Sequence, residues 1–260
     1  MKVRICLNLD KPKSRTNLRC INRILKARRI KVVGCGEDMV LAFGGDGSIL
    51  KAVRSVTPRK TPVLGINTGG LGFLTDIGID ELDRVVRHLV QGKYTIENRM
   101  MLECNIGPRR FYALNDFVVT TNVPGRSIEL LTSIDGEYLC RFISDGIIVA
   151  TPTGSTAYSL AASGPIIKPT MRAIVISPIC PHTLSVRPLV LDERDVFEVQ
   201  IGSKGEAVLV TDGQLRQRLT SGRKISFHKS EHQAYLVKAH SHSFIDTLRK
   251  KMKWGGREDA

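Results

Sequence analysis

An apolar run, Val40-Leu41-Ala42-Phe43, empties into Gly44-Gly45-Asp46-Gly47-Ser48-Ile49-Leu50. Glycines at Gly44, Gly45 and Gly47 let a backbone turn sharply and approach a ligand closely, where a Cβ would stand in the way. The first N–H groups of a helix starting there would face outward as an anion site suited to phosphate. Asp46 puts a negative charge inside that site. The arrangement is unfavourable unless a metal ion or a proton to be handled is nearby, and that contradiction is the first functional signal in the chain.

Asp-Gly recurs at Asp135-Gly136, Asp145-Gly146 and Asp212-Gly213, and because the pair is an ordinary turn dipeptide each case is weighed by its surroundings. Asp135-Gly136 separates two alternating runs, Ile128 to Ile134 and Tyr138 to Ile143, and predicts a plain hairpin turn. Asp145-Gly146 precedes a buried strand that empties into Thr151-Pro152-Thr153-Gly154-Ser155-Thr156-Ala157-Tyr158-Ser159, a cluster of hydroxyls and small side chains. Asp212-Gly213-Gln214, after Ala207 to Val210, fits a turn as well as a site. His228 with His232 and His240 with His242 have spacings that could face a metal, but no acidic partner is suitably placed, and they read as surface histidines.

The elements that must carry these residues follow from hydrophobic periodicity. Val3 to Leu9, Met39 to Phe43 and Pro62 to Ile66 predict strands, and Asn17 to Arg29 and Ser48 to Val56 predict helices. Asp80 is placed to cap a helix bearing Leu82, Val85, Val86, Leu89 and Val90. This rhythm predicts an α/β domain with a parallel sheet over residues 1–95. From about Tyr94 short β-rich runs separated by turns predict an all-β, sandwich-like domain over 96–242. Ser159 to Ala162 reads as one helical turn inside it, and Ser243 to Trp254 as a basic amphipathic helix, within a 243–260 segment expected to pack back on the first domain.

The 260 residues suffice for two domains with a full core. No apolar stretch approaches the ~18 to 20 residues of a membrane span, and the N-terminus runs directly into a strand pattern without a signal-peptide core, so a cytoplasmic protein is expected. The six cysteines form no CxxC pair, so their spacing suggests neither a zinc knuckle nor a disulfide framework. A net charge of +14 suits nucleic acid, an anionic membrane or a highly phosphorylated small molecule. The basic segments lack the aromatic platform of single-strand binding, so nucleic acid is not expected as a partner, and without a spanning stretch neither is a membrane.

Gly44-Gly45-Asp46-Gly47, then Asn67-Thr68-Gly69-Gly70-Leu71-Gly72-Phe73-Leu74-Thr75, then Asn115-Asp116 and the 145–159 segment resemble, in order and spacing, the motifs of the NAD kinases. Diacylglycerol, sphingosine and 6-phosphofructokinases share a similar first motif, and the 145–159 segment is what discriminates. The resemblance implies phosphorylation of the 2′-hydroxyl of the adenosine ribose of NAD to give NADP, with ATP or polyphosphate as donor and Mg²⁺ or another divalent cation as cofactor. It further implies that Asp46 is catalytic, as general base or orienting acceptor, and that Gly44, Gly45 and Gly47 face phosphates. Phe73, Asn115, Asp116, Thr153, Thr156, Ala157 and Tyr158 would line the dinucleotide site. Asp145 would approach the nicotinamide end, in the family often from a neighbouring subunit, and the assembly would be a homodimer or homotetramer. Three positions depart from the common pattern: Asp116 where many relatives carry Glu, Gly70 where a basic or bulky residue is frequent, and Ser163 in place of glycine. A lipid or sugar kinase, or a dinucleotide-binding regulator without catalysis, is the competing expectation.

Overall fold

The computed structural model describes residues 1–7, 14–69, 72–75, 77–123, 125–202, 206–239 and 243–254, the side chains of 14–16 excepted. Leu9 of the first predicted strand, Gly70, Leu71, His240 and His242 lie outside the described residues. The chain divides into two compact units, Met1–Asn98 with Ala234–Ala260, and Arg99–Gln233.

In the first unit β1 (Lys2–Leu7), β2 (Lys31–Val32), β3 (Met39–Phe43), β4 (Val63–Asn67) and β5 (Ile77–Gly78) are parallel. Their order is β2-β1-β3-β4, and the other side of β4 pairs with β5 at Ile66 and Asn67 and with the end of the last strand, Leu236, at Val63. β3 and β4 are buried at every position, as strands covered on both faces must be. On one face Leu41, Phe43, Leu64 and Ile66 pack with Ile21 and Leu25 of α1 (Ser14–Ala27) and with Leu82, Val85, Val86 and Leu89 of α3 (Leu82–Val90). On the opposite face, where the side chains have the other parity, a Cβ on Gly65 would overlap Ile49 of α2 (Asp46–Val56), which seats α2 there. The C-terminal helix, Phe244–Met252, belongs to this unit. Its start is a capping box: Ser243 Oγ accepts the Asp246 N–H at 3.0 Å, and Asp246 Oδ2 accepts the Ser243 N–H at 3.2 Å.

Two local expectations are corrected. α2 begins at Asp46, not Ser48, with Gly45 as its N-cap at φ −91° and ψ −169°. Hydrophobic periodicity is silent about a polar first turn, so Ile49 is the first residue that could report the helix. Asp80 does not cap the helix bearing Leu82: Ile79–Glu81 forms a 3₁₀ turn leading into α3, whose N-cap is Glu81. Glu81 Oε2 reaches back to accept the Gly78 N–H at 3.2 Å, closing the 3₁₀ turn at its start.

The second unit contains β6 (Thr95–Ile106, from Arg99 on), β7 (Arg109–Ala113), β8 (Asp116–Thr121), β9 (Ile128–Ile134), β10 (Glu137–Ser144) and β11 (Gly146–Ala150). It continues with β12 (Ala173–Ile179), β13 (Leu189–Asp192), β14 (Phe197–Ile201), β15 (Ala207–Thr211), β16 (Leu215–Leu219) and most of β17 (Lys224–Lys238). One layer is antiparallel, in the order β13-β12-β11-β8-β15-β16, and the other runs β10-β9-β14-β17, with β6 pairing β17 and β7. Phe117, Val119, Ile147 and Val149 of the first layer share one core with Leu130, Phe142, Phe197 and Phe227 of the second, and the Phe117 and Phe227 rings are 5.6 Å apart. The alternate residues Val118, Ile148, Ala150 and Val175 form a separate cluster with Ile167. Two layers with inner faces in contact are a β-sandwich, as the sequence texture predicts.

Register then decides which motifs meet. Ala150 pairs with Asp116, and Thr211 with Phe117, so the start of β8, the segment after β11 and the turn after β15 share one end of the sheet. Gly146 pairs with Thr120, which puts Asp145 at the other end.

Candidate functional site

Gly44 continues the sheet by donating its N–H to Ile66 O at 2.9 Å, and its φ of +144° is the conformation in this turn that favours glycine. Gly45 has an ordinary extended φ, and Gly47 lies in the first turn of α2. The expectation that all three glycines serve the turn is thereby narrowed to Gly44.

Asp46 is half-buried at the N-terminal end of α2. Its Oδ2 accepts the Phe73 N–H at 2.8 Å, and its Oδ1 accepts the Leu74 N–H at 3.0 Å and faces Thr75 Oγ1 at 3.5 Å. Thr75, fully buried, in turn accepts the Gly72 N–H at 3.2 Å. A Cβ on Gly72 would overlap both Asp46 Oδ1 and Thr75 Oγ1, which explains glycine at that position. Two backbone donors hold the carboxylate in place at the positive end of the α2 dipole. Phe73 therefore contributes its backbone to Asp46, while its ring lies under Lys251 Nζ at 5.8 Å. Asn67, Thr68, Gly69 and Thr75 line a cavity of about 440 Å³ in this unit together with the 77–81 segment.

In the second unit Asn115, Asp116, Ala157 and Tyr158 line one cavity of about 370 Å³, with Asp212, Gly213 and Arg216. Thr151 ties this region together: its N–H donates to Asn115 O at 2.8 Å, and its hydroxyl donates to Leu114 O at 2.6 Å. The Gly154 N–H returns to Thr151 Oγ1 at 3.0 Å, and Gly154 packs on the Asn115 carbonyl with no room for a Cβ. Tyr158 opens α4 (Tyr158–Ala161), one helical turn as expected, and its ring is exposed. Asp116 is buried. Burial pushes its carboxyl up to about 7, the neighbouring Asp212 charge pushes the same way, and a hydrogen bond from the Tyr158 backbone pulls it down.

The remaining sequence-predicted residues lie apart from that cavity lining. Thr153 is buried and its hydroxyl accepts from Arg99 Nη1 at 3.2 Å, while the Thr156 hydroxyl donates to Thr153 O at 3.2 Å. Much of the hydroxyl cluster thus wires the loop to itself. Asp145, at the far end of β11, receives the Ser127 hydroxyl at 3.4 Å, and that hydroxyl also meets His182 Nε2 at 3.1 Å. His228 is engaged by Asn105 at 2.9 Å and by Lys229 O at 2.9 Å, and His232 stacks edgewise on Tyr112. Two residues were undervalued by sequence reasoning: Arg99, which no motif announces, and Asp212, whose Asp-Gly pair looks like any hairpin.

Among the described residues no group of three or more His, Cys, Asp or Glu side chains is placed to hold a metal, and no helix is long and apolar enough to cross a membrane. A Mg²⁺ ion bound through one carboxylate, waters and substrate phosphates needs no such cage, and the donor set around Asp46 is compatible with that mode.

A parallel α/β unit with a carboxylate fixed at a helix start, and a β-sandwich with a cavity lined by Asp116, Asp212 and Arg216, define the two-unit architecture of the chain. The sequence model of the ATP-NAD kinase N-terminal domain matches residues 9–94, and that of the ATP-NAD kinase C-terminal domain matches residues 114–239. The NAD kinase of Geotalea daltonii is 41% identical over 226 residues, covering 85% of this chain and 80% of that protein. That of Moorella thermoacetica is 39% identical over an alignment of 284 residues, covering 99% and 91%. The crystal structure of yeast NADH kinase complexed with NADH superposes with a TM-score of 0.91 at 26% identity, covering 98% of this chain and 88% of that one. An NAD kinase from Archaeoglobus fulgidus in complex with ATP gives 0.83 at 27% identity, covering 98% and 100%. The chain belongs to the NAD kinase family.

Proposed function

We propose that this enzyme transfers the terminal phosphoryl group of ATP to the 2′-hydroxyl of the adenosine ribose of NAD, giving NADP. The observation that carries the reading is the Asp46 carboxylate, held by the Phe73 and Leu74 N–H groups at the start of α2. A carboxylate so fixed is a weak base toward an alcohol but a good acceptor for its hydroxyl proton, so its first task is to orient the nucleophile for in-line attack. The α2 N-terminus, with Gly45 and Gly47, faces the phosphates with the positive end of its dipole. The cavity of Asn115, Asp116, Ala157 and Tyr158 takes the adenosine half: Asn115 supplies both donor and acceptor, and the Tyr158 ring an aromatic face. Thr153 and Thr156 act by shaping the loop below it.

Mg²⁺, entering with the donor's phosphates, neutralises their charge. Polyphosphate offers the same terminal group and is the second donor to test. Asp145 serves a dinucleotide bound by another copy of the chain, in a cytoplasmic homodimer or homotetramer; the exposed Tyr138, Leu139 and Ile143 on edge strand β10 support assembly. Light scattering checks the assembly, and a monomeric mass with full activity would refute it. The reaction is tested by incubating the enzyme with ATP, Mg²⁺ and, separately, NAD, diacylglycerol, a sphingoid base and fructose 6-phosphate. NADP formed from NAD alone supports the proposal, and phosphorylation of another acceptor with NAD untouched rejects it. NAD bound tightly with no turnover on any donor would favour a regulator.

A further inference from the structure

We propose that Asp212 is a positioning residue of the nucleoside cavity: its carboxylate fixes the Leu114–Asp116 backbone and keeps the buried Asp116 neutral, so that Asp116 donates a hydrogen bond to an acceptor atom of the bound purine nucleoside. The proposal rests on the assignment of this cavity to the adenosine half of the dinucleotide.

The two Asp-Gly hairpins of the second unit show what is unusual. Asp135 and Gly136 have φ of 51° and 83°, and Asp135 Oδ1 accepts the Val196 N–H at 2.9 Å on the surface. Asp212 has the same backbone type, with φ of 49°, yet its side chain turns inward and the residue is only 6% exposed. Its Oδ2 accepts the Leu114 N–H at 3.2 Å, and its Oδ1 accepts those of Asn115 at 2.8 Å and Asp116 at 3.3 Å. Its own N–H donates to Asp116 O at 2.9 Å. Each of the three N–H donors favours the ionised carboxylate over the acid, which would have to turn its one O–H among them. Of the two carboxyls, Asp212 is thus the one placed to hold the negative charge.

Asp116 lies beside it, 4% exposed. The groups acting on Asp116 are Asp212 from the β15–β16 turn and the Tyr158 backbone N–H at the start of α4, and Arg216 of β16 is the cation lining the same cavity. Two like charges in so dry a place are costly, and the proton goes to the partner with fewer donors, which is Asp116. This carboxyl, raised to about 7, is half-neutral near neutral pH and fully neutral below it. A neutral carboxyl presents one O–H donor, matched by a ring nitrogen or a ribose oxygen of the nucleoside.

The experiment is calorimetric titration of the full-length protein with NAD from pH 5.5 to 8.5, for wild type, Asp212→Asn and Asp116→Asn. Wild-type affinity is expected to be flat in the acid range and to weaken above pH 7 by up to about tenfold per pH unit. In Asp212→Asn the weakening begins at lower pH, because the charge that opposes ionisation of Asp116 is gone. Asp116→Asn, whose amide is a permanent donor, stays flat across the range. A flat wild-type profile, or the same midpoint in Asp212→Asn with only a uniform loss, would overturn the proposal. The wild type and Asp116→Asn suffice for the donor test should Asp212→Asn not fold. Absence of NAD binding by wild type at every pH would instead overturn the assignment of the cavity, and the positioning role with it.

Discussion

Replacing Asp46 by Asn separates the chemical role of this residue from its structural one. The amide keeps one oxygen, enough for either the Phe73 or the Leu74 N–H, and turns an NH₂ group toward the other. One charge-assisted hydrogen bond is lost, about 1.5–3 kcal/mol, and with it the favourable term between a carboxylate and the α2 N-terminus, about 0.3–1 kcal/mol. Half-burial reduces these values, so a loss of roughly 2 kcal/mol is expected, which lowers Tm by roughly 4–8 °C in a chain of this size. The effect on turnover is of another order. Loss of an acceptor placed at the nucleophilic hydroxyl lowers kcat by about 10²–10⁴ while KM for NAD changes little. The assay is initial-rate NADP formation at saturating ATP and Mg²⁺ over a range of NAD, alongside thermal unfolding. A fall in Tm with kcat within threefold of wild type would show that Asp46 only caps and braces the 72–75 segment, and the catalytic reasoning would be refuted.

Gly72→Ala pushes a methyl group into Asp46 Oδ1 and Thr75 Oγ1, and moving the carboxylate by an ångström is expected to cost about a hundredfold in kcat; wild-type turnover in this variant would contradict the packing argument. Asp116 gives a stability signature: its folded value, about 7, lies above that of the unfolded chain, so the native state binds the extra proton and stability falls as pH rises from about 4 to 7. Denaturant melts of wild type against Asp116→Asn across that interval check the sign, and a difference independent of pH would be contrary. Cys104 is buried with its thiol pushed above its usual range by desolvation, whereas Cys35 and Cys180 are exposed. A thiol reagent at pH 8 should label the exposed pair and spare Cys104 in the native protein, as peptide mass mapping would reveal.

The parts of this fold legible in sequence are those whose burial imposes a period. β3, β9 and β11 carry continuous or alternating apolar residues and fall where the pattern puts them. β7 and β16 are edge strands with exposed charges and little apolar alternation, Arg109-Arg110 in β7 and Leu215-Arg216-Gln217-Arg218-Leu219 in β16, and β13 is an edge strand of four residues, too short to impose a period. In β17 the apolar residues stand at its two ends, Ile225 to Phe227 and Ala234 to Val237, and the polar residues between them hide its continuity from the pattern. The site shows the same limit. Asp46 and Asn115-Asp116 stand out because their residue types are unusual where they occur. Asp212 does not, because the inward turn of its side chain depends on the register of β15 against β8, which no local pattern encodes.

The position of the phosphate on the product tests the central claim most directly. Phosphorus NMR of the product formed from NAD and ATP should show a single new monoester on the 2′-oxygen of the adenosine ribose, with 2′-deoxyadenosine-containing NAD giving none. A monoester at any other hydroxyl, or phosphorylation of the 2′-deoxy substrate, would contradict the placement of Asp46 at the 2′-hydroxyl.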